Sequence, residues 1–171
     1  MKIIDAADML MLALLGPTEG EWEKPWDVDA LPGAAGVHDT SERLVRAQAV
    51  RIMPGGNRAY YTPASDTIRA PVREAFVSTE MFYVTLFHEL SHWTGARCRL
   101  GRDFRRRAFE ETVADSTAAI LSVATGLTST IPQRNAIYVS KWAERMDDWE
   151  PAETLEAAQR SAEYLIKQME G

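Results

Sequence analysis

The chain has 171 residues and a single cysteine, Cys98. One thiol excludes an intrachain disulfide framework and a zinc cluster built on cysteines. It fits a reducing compartment, most simply the cytoplasm. Positive charge is also scarce: 19 Lys and Arg stand against 25 Asp and Glu, a net charge of −6, which argues against bulk nucleic-acid binding by a basic surface. Long apolar runs are missing too. Met9 to Gly16, MLMLALLG, is far too short to span a bilayer. It follows Asp5 and Asp8 instead of a basic segment, so it reads as a short docking helix and not as a secretion signal.

The remaining composition, 46% apolar and 26% charged, is that of an ordinary globular domain long enough to bury a core. Residues 16–36 are rich in Gly, Pro and acids and read as an irregular connection, with Trp22 and Trp26 pinning it down. The expected division is therefore 1–36, a short helix and connection, and 37–171, the domain proper. A helix is expected from Thr40 to Ala49. Turn signals PGGN and PASD flank RAYYT, and DTIRA follows, which predicts a hairpin or small antiparallel sheet.

Helices dominate the rest. One begins at Ser78 or Thr79, both suited to capping, and stops at Gly95. Another runs from Arg107 to Thr125, with Gly126 as its stop. A third starts at Pro132. A fourth follows Pro151, where Leu155, Ala158, Ala162, Leu165 and Met169 form one apolar stripe. Strands first and helices after make the class α+β.

The first long helix carries HELSH, residues 88–92. On a helix His88 and His92 are one turn apart and project from one face, while Glu89 lies about 100° around from His88. Two imidazoles and an adjacent carboxylate suit hydrolytic zinc chemistry, with Glu89 as the base that takes a proton from a water polarised by the metal. A catalytic zinc wants a third protein ligand. Downstream, FEETVAD places Glu111 and Asp115 one turn apart, and Ala118 and Ala119 continue that face with small side chains that permit close helix packing. Glu111 is the expected third ligand. Asp115 is expected to hold the outer nitrogen of a ligand histidine. Glu110 points elsewhere on the wheel. The alternative for FEETVAD is an acidic first turn placed by the helix dipole.

The pattern of a histidine pair, a glutamate 19 residues after His92, and an aspartate four residues further resembles thermolysin-like gluzincins. More closely, GGNRAYYTPASDTIRAP, FYVTLFHELSHWTGARCRLGRDF, FEETVADSTAAILSVATGL and NAIYVSKW resemble the zincin-like metallopeptidase domain of ArdC-type antirestriction proteins. The same domain occurs in polyvalent proteins of phages and conjugative elements. The resemblance runs from about His38 to Lys167. It implies an α+β zincin fold with one bound metal. His88 and His92 would be ligands, Glu89 the base, and an acid of the Glu110–Glu111 pair would complete the site. It also implies that the strand from Asp66 to Ala70 borders the cleft, where an extended peptide adds to its edge. ArdC-type proteins carry an N-terminal domain that binds single-stranded DNA, and only about 37 residues precede the resemblance here, so that domain is expected to be absent.

The expected activity is therefore zinc-dependent hydrolysis of a peptide bond, with manganese or cobalt compatible with the same ligands. The expected partner is a protein or peptide, with no membrane. One rival is a metal-stabilised module that inhibits a host defence protein by binding it. Another is a repressor-cleaving protease, for which no helix-turn-helix signal speaks. Arginines 97, 99, 102, 105, 106 and 107 form a basic run between the two site helices. It reads as a solvated connecting loop, with a weaker reading as a patch for DNA phosphates. Tyr138 is a secondary candidate for stabilising an oxyanion, against ordinary packing. Trp142 and Trp149 read as anchors, His38 as an incidental surface histidine, and Cys98 as a thiol between arginines.

Overall fold

A computed structural model describes residues 35–128 and 151–171. The helices expected at Met9 and Pro132, with Trp22, Trp26, Tyr138, Trp142 and Trp149, lie outside the described residues.

Helix α1 spans Asp39–Ala47. Its first turn holds Asp39 and Glu42 and its last turn Arg46, each sign matched to the helix dipole. His38 is not an incidental surface residue. It is the N-cap, and its Nδ1 accepts from the Ser41 backbone N–H at 3.4 Å. At the other end the Gln48 amide donates to the carbonyls of Leu44 (2.7 Å) and Leu165 (3.0 Å), which ties this helix to the last one.

Three short strands follow: β1 (Arg51–Pro54), β2 (Tyr60–Thr62) and β3 (Thr67–Ala70). The glycines of PGGN earn their places at Gly55 and Gly56, where φ is +126° and +79°. The expected hairpin is β2–β3, antiparallel, with Tyr61 opposite Ile68. β1 joins it in parallel on the other side of β3, so the sheet is mixed, in the order β1-β3-β2. β3 is thus the central strand. Both its edges are already paired, and it cannot accept a peptide as the family resemblance implied. Period-two alternation turns Ile68 and Ala70 into the core and leaves Thr67 and Arg69 less covered.

After a 3₁₀ turn at Arg73–Ala75, helix α2 spans Thr79–Thr94, capped by Ser78, whose hydroxyl accepts from the Met81 N–H at 3.1 Å. Gly95 ends it with φ −69°, an ordinary right-handed value. Residues 95–106 then connect to α3 (Arg107–Ala124), which closes just before Gly126 at φ +74°. Helix α4 spans Pro151–Glu170 and buries Ala158, Ala162 and Leu165 of its expected stripe.

α3 lies against both α2 and α4. Ala118 and Ala119 are buried, and the Ser91 hydroxyl donates to Thr117 Oγ1 at 3.0 Å across the α2–α3 seam. Small side chains let the two helices approach closely. The core gathers Leu44, Ile68, Tyr83, Phe87, Leu90, Val113, Ile120, Leu121 and Leu165. Each buried aliphatic side chain there contributes about 1.5–3 kcal/mol. Arg73 locks α1 onto α2: its guanidinium donates to Glu42 (2.7 Å) and to the Tyr83 hydroxyl (2.8 Å) and lies 4.4 Å above the Phe82 ring.

Candidate metal centre

α2 presents His88 and His92 on one face, and α3 brings its own acids against them. The two Nε2 atoms are 3.1 Å apart. Glu111 Oε2 lies 3.4 Å from the Nε2 of His88 and 3.8 Å from that of His92. A tetrahedral ion with bonds of about 2.0–2.1 Å has ligands separated by about 3.3 Å. The three donors therefore already stand at the spacing of three corners of such a site, and His88, His92 and Glu111 form a group able to hold a metal ion.

The outer nitrogens explain why the inner ones converge. His88 Nδ1 is 2.9 Å from Asp115 Oδ1, and His92 Nδ1 is 3.5 Å from Glu110 Oε2. An ionised carboxylate only accepts, so each outer nitrogen carries its proton toward its acid. In the neutral rings both Nε2 lone pairs then aim at one point, together with a carboxylate oxygen. That arrangement repels itself unless a cation or proton sits between the donors. The donor set fits a metal.

The charges respond accordingly. Burial pushes the imidazole pKa of His88 down, but Asp115, Glu111 and Glu89 outweigh it and hold it well above 6.5. For His92 burial also acts downward, and Glu110 and Glu111 raise the net value. Burial would raise Glu111, yet the two histidines hold its carboxyl well below the usual range.

Glu89 is buried beside the triad and is not one of its three donors. Burial raises its pKa; His88, His92 and a backbone hydrogen bond from Tyr61 oppose this without cancelling it. A carboxylate tuned upward is a better proton acceptor at neutral pH. Tyr61 belongs to β2, so the edge strand β2 borders the site.

The structure brings together His88, Glu89, His92, Glu111 and Asp115, all singled out from sequence. Glu110, the weaker candidate of the Glu110–Glu111 pair in the sequence, is not one of the three donors; it is only 3% exposed and bonded to Arg102 at 2.6 Å. The arginine run is correspondingly not one solvated loop. Arg102 and Arg99 turn inward. Arg99 donates to the Trp93 carbonyl at 2.6 Å, stacks 4.1 Å from the Trp93 ring and pairs with Asp66. Of the outward members, Arg105 pairs with Asp103 and Arg106 with Glu153. Arg107 lies 3.9 Å from Glu111 and is mostly exposed, and Arg97 is exposed. Cys98 is exposed and free. No helix among the described residues is long and apolar enough to cross a membrane.

Comparison with known proteins places this geometry. The antirestriction protein ArdC of the R388 plasmid, in its metal-free structure, is 30% identical with a TM-score of 0.63, over 82% of this chain and 53% of that one. Its Mn(II)-bound structure is 28% identical with a TM-score of 0.59, over 86% and 56%. DNA primase TraC of Escherichia coli is 35% identical over 127 residues, 70% of this chain but 9% of TraC. An uncharacterized protein of Sinorhizobium fredii, y4eC, is 29% identical over 128 residues, 71% of this chain and 41% of that protein. The chain thus spans less than half the length of these two curated relatives and about half of ArdC. The family model described as zincin-like metallopeptidase matches residues 39–160. On that match, and on the shared fold, the chain belongs to the zincin-like metallopeptidase family.

Proposed function

We propose that this domain hydrolyses peptide bonds with one bound metal ion, zinc by ligand type. The observation that carries the reading is the convergence of His88 Nε2, His92 Nε2 and Glu111 Oε2 within 3.1–3.8 Å of one another, with a separate buried carboxylate, Glu89, beside them. His88, His92 and Glu111 hold the ion. When bound, it supplies Lewis acidity toward water and toward a peptide carbonyl. Glu89 accepts the proton of the attacking water on a carboxylate oxygen and delivers it to the departing amine nitrogen. The Tyr61 backbone hydrogen bond steadies Glu89 for both transfers. An extended peptide lies along the β2 edge, because β3 is paired on both sides.

Two similarities supply the setting. One relative is an antirestriction protein and another a DNA primase. On that footing the substrate is a host defence protein met by a mobile element. The pairing of Arg105 with Asp103 and of Arg106 with Glu153 weakens the case for nucleic acid as a direct partner of this domain. ArdC with Mn(II) makes manganese the first competitor to zinc.

The test is Glu89→Gln. It should keep the metal and lose cleavage of a peptide library by at least about 100-fold. Undiminished cleavage would remove Glu89 from the mechanism. Metal binding with no cleavage by the wild type, alongside retained inhibition of a defence protein by Glu89→Gln, would favour a binding module instead.

A further inference from the structure

Arg102 uses every face of its guanidinium. Nε donates to Glu110 Oε1 at 2.6 Å, and Nη2 donates to Glu110 Oε2 at 3.2 Å and to the Ser91 carbonyl at 2.7 Å. Nη1 donates to Thr94 Oγ1 at 3.0 Å and to Ser161 Oγ at 2.7 Å. One side chain from the connecting loop thereby joins the last turn of α2, the first turn of α3 and the middle of α4. Its side chain is 8% exposed, that of Glu110 3%.

Gly95 makes the room. Its φ of −69° suits any residue, so backbone conformation does not require glycine there. A Cβ on it, however, would stand 2.8 Å from Arg102 Nη2 and 3.1 Å from its Cζ. The helix stop read from sequence is a seat for a guanidinium.

Glu110 is held from both oxygens by this fork, and its Oε2 also faces His92 Nδ1 at 3.5 Å. The contact is longer than the 2.9 Å between His88 and Asp115. His92 thus has a carboxylate partner whose own position is fixed by an arginine. A carboxylate free to rotate would not hold the ring; one clamped by two parallel N–H groups does.

We propose that Arg102 is a positioning residue of the metal centre: by clamping Glu110 it sets the orientation of the His92 ring, and with it the affinity of the site. The inference rests on the reading of His88, His92 and Glu111 as metal ligands. It differs from a purely structural ion pair in a way that can be measured. A structural pair changes the melting temperature and leaves the metal alone. A positioning residue changes the metal even where the fold is intact.

The experiment is zinc affinity by chelator competition, with the visible spectrum of the Co²⁺-substituted protein, on wild type, Arg102→Met, Arg102→Lys, Glu110→Gln and the double variant Arg102→Met/Glu110→Gln. Glu110→Gln should weaken zinc by about 10–100-fold. Arg102→Met should weaken it comparably, and Arg102→Lys, which keeps the charge but not the fork, should restore little. The double variant should be no weaker than the worse single one, since both changes break one linkage. The Co²⁺ bands should shift in all of them. If Arg102→Met does not fold, because it leaves Glu110 buried without its cation, the double variant decides alone. Wild-type affinity and bands in a folded double variant overturn the proposal, as do losses that add. A wild type that binds neither zinc nor cobalt defeats the metal reading itself, and this inference with it.

Discussion

Asp115 Oδ1 lies 2.9 Å from His88 Nδ1, one helical turn beyond the Glu111 oxygen that faces the other side of the same ring. The two acids of α3 grip one imidazole from both nitrogens. Asp115→Asn keeps the shape and loses the charge. It should lower zinc affinity by about 10–100-fold, and it should also lower the melting temperature of the metal-free protein near pH 6, where Asp115 helps to hold the charge on His88. Competition with a chromophoric chelator measures the first, and circular dichroism the second.

Metal capture should release protons. Both ligand histidines have values raised above 6.5 in the metal-free protein, chiefly by Asp115 and Glu111 for His88 and by Glu110 and Glu111 for His92, against the downward pull of burial. A raised folded value adds stability that is fully present below 6.5 and is lost as pH rises through that value. The metal needs neutral rings, so its affinity runs the other way. Zinc affinity should climb roughly tenfold per pH unit for each proton displaced, and level off only above 6.5. The metal-free protein should melt at a higher temperature near pH 6 than near pH 9. An affinity that is flat across this range would show that the rings are not protonated to begin with.

A second acid sets behaviour at low pH. Burial raises the Glu42 carboxyl, but the Tyr83 hydroxyl, Arg46 and Arg73 pull it down from 4.5 to about 2. A depressed value contributes stability above 4.5 that is lost as pH falls toward 2. Glu42→Gln should cost about 1–3 kcal/mol at neutral pH, and the gap to wild type should close near pH 2. Melts of both proteins between those limits test the sign. A gap that persists in acid would assign it to packing.

Asp66 holds φ +49° at the β2–β3 turn and pairs with Arg99. Asn tolerates the left-handed region better than other non-glycine residues. Asp66→Asn should therefore cost less than Asp66→Ala, which loses both the side-chain contact and the conformational preference. The difference should be about 1 kcal/mol. Urea denaturation measures it, and equal losses would mean that the turn geometry carries no weight.

The members of the candidate triad were readable because helical period groups them. Residues four apart share a face wherever the helix lies, so His88 with His92, and Glu111 with Asp115, needed no knowledge of tertiary structure. Glu110 was not readable by that rule. A helical wheel places it about 100° from Glu111 and says nothing of a second helix whose next histidine waits on that side. Arg99 and Arg102 were hidden for a related reason. Their neighbours are exposed arginines, and only the crossing of α2, α3 and α4 decides which members of the run turn inward. The sheet was legible as a hairpin but not in its order, since local turn signals give β2–β3 and cannot announce that β1 lies parallel to β3.

Because α2 and α3 are joined by a connection as short as residues 95–106, the three donors, Glu89 and both outer carboxylates all fall between His88 and Asp115. Closing so short a stretch costs little chain entropy. The chemistry of the site is thus written in contacts of small sequence separation, of the kind that form early and rapidly. A cassette of this sort carries its own assembly instructions. The stretch that matches takes up about a tenth of the length of one relative and about half of another.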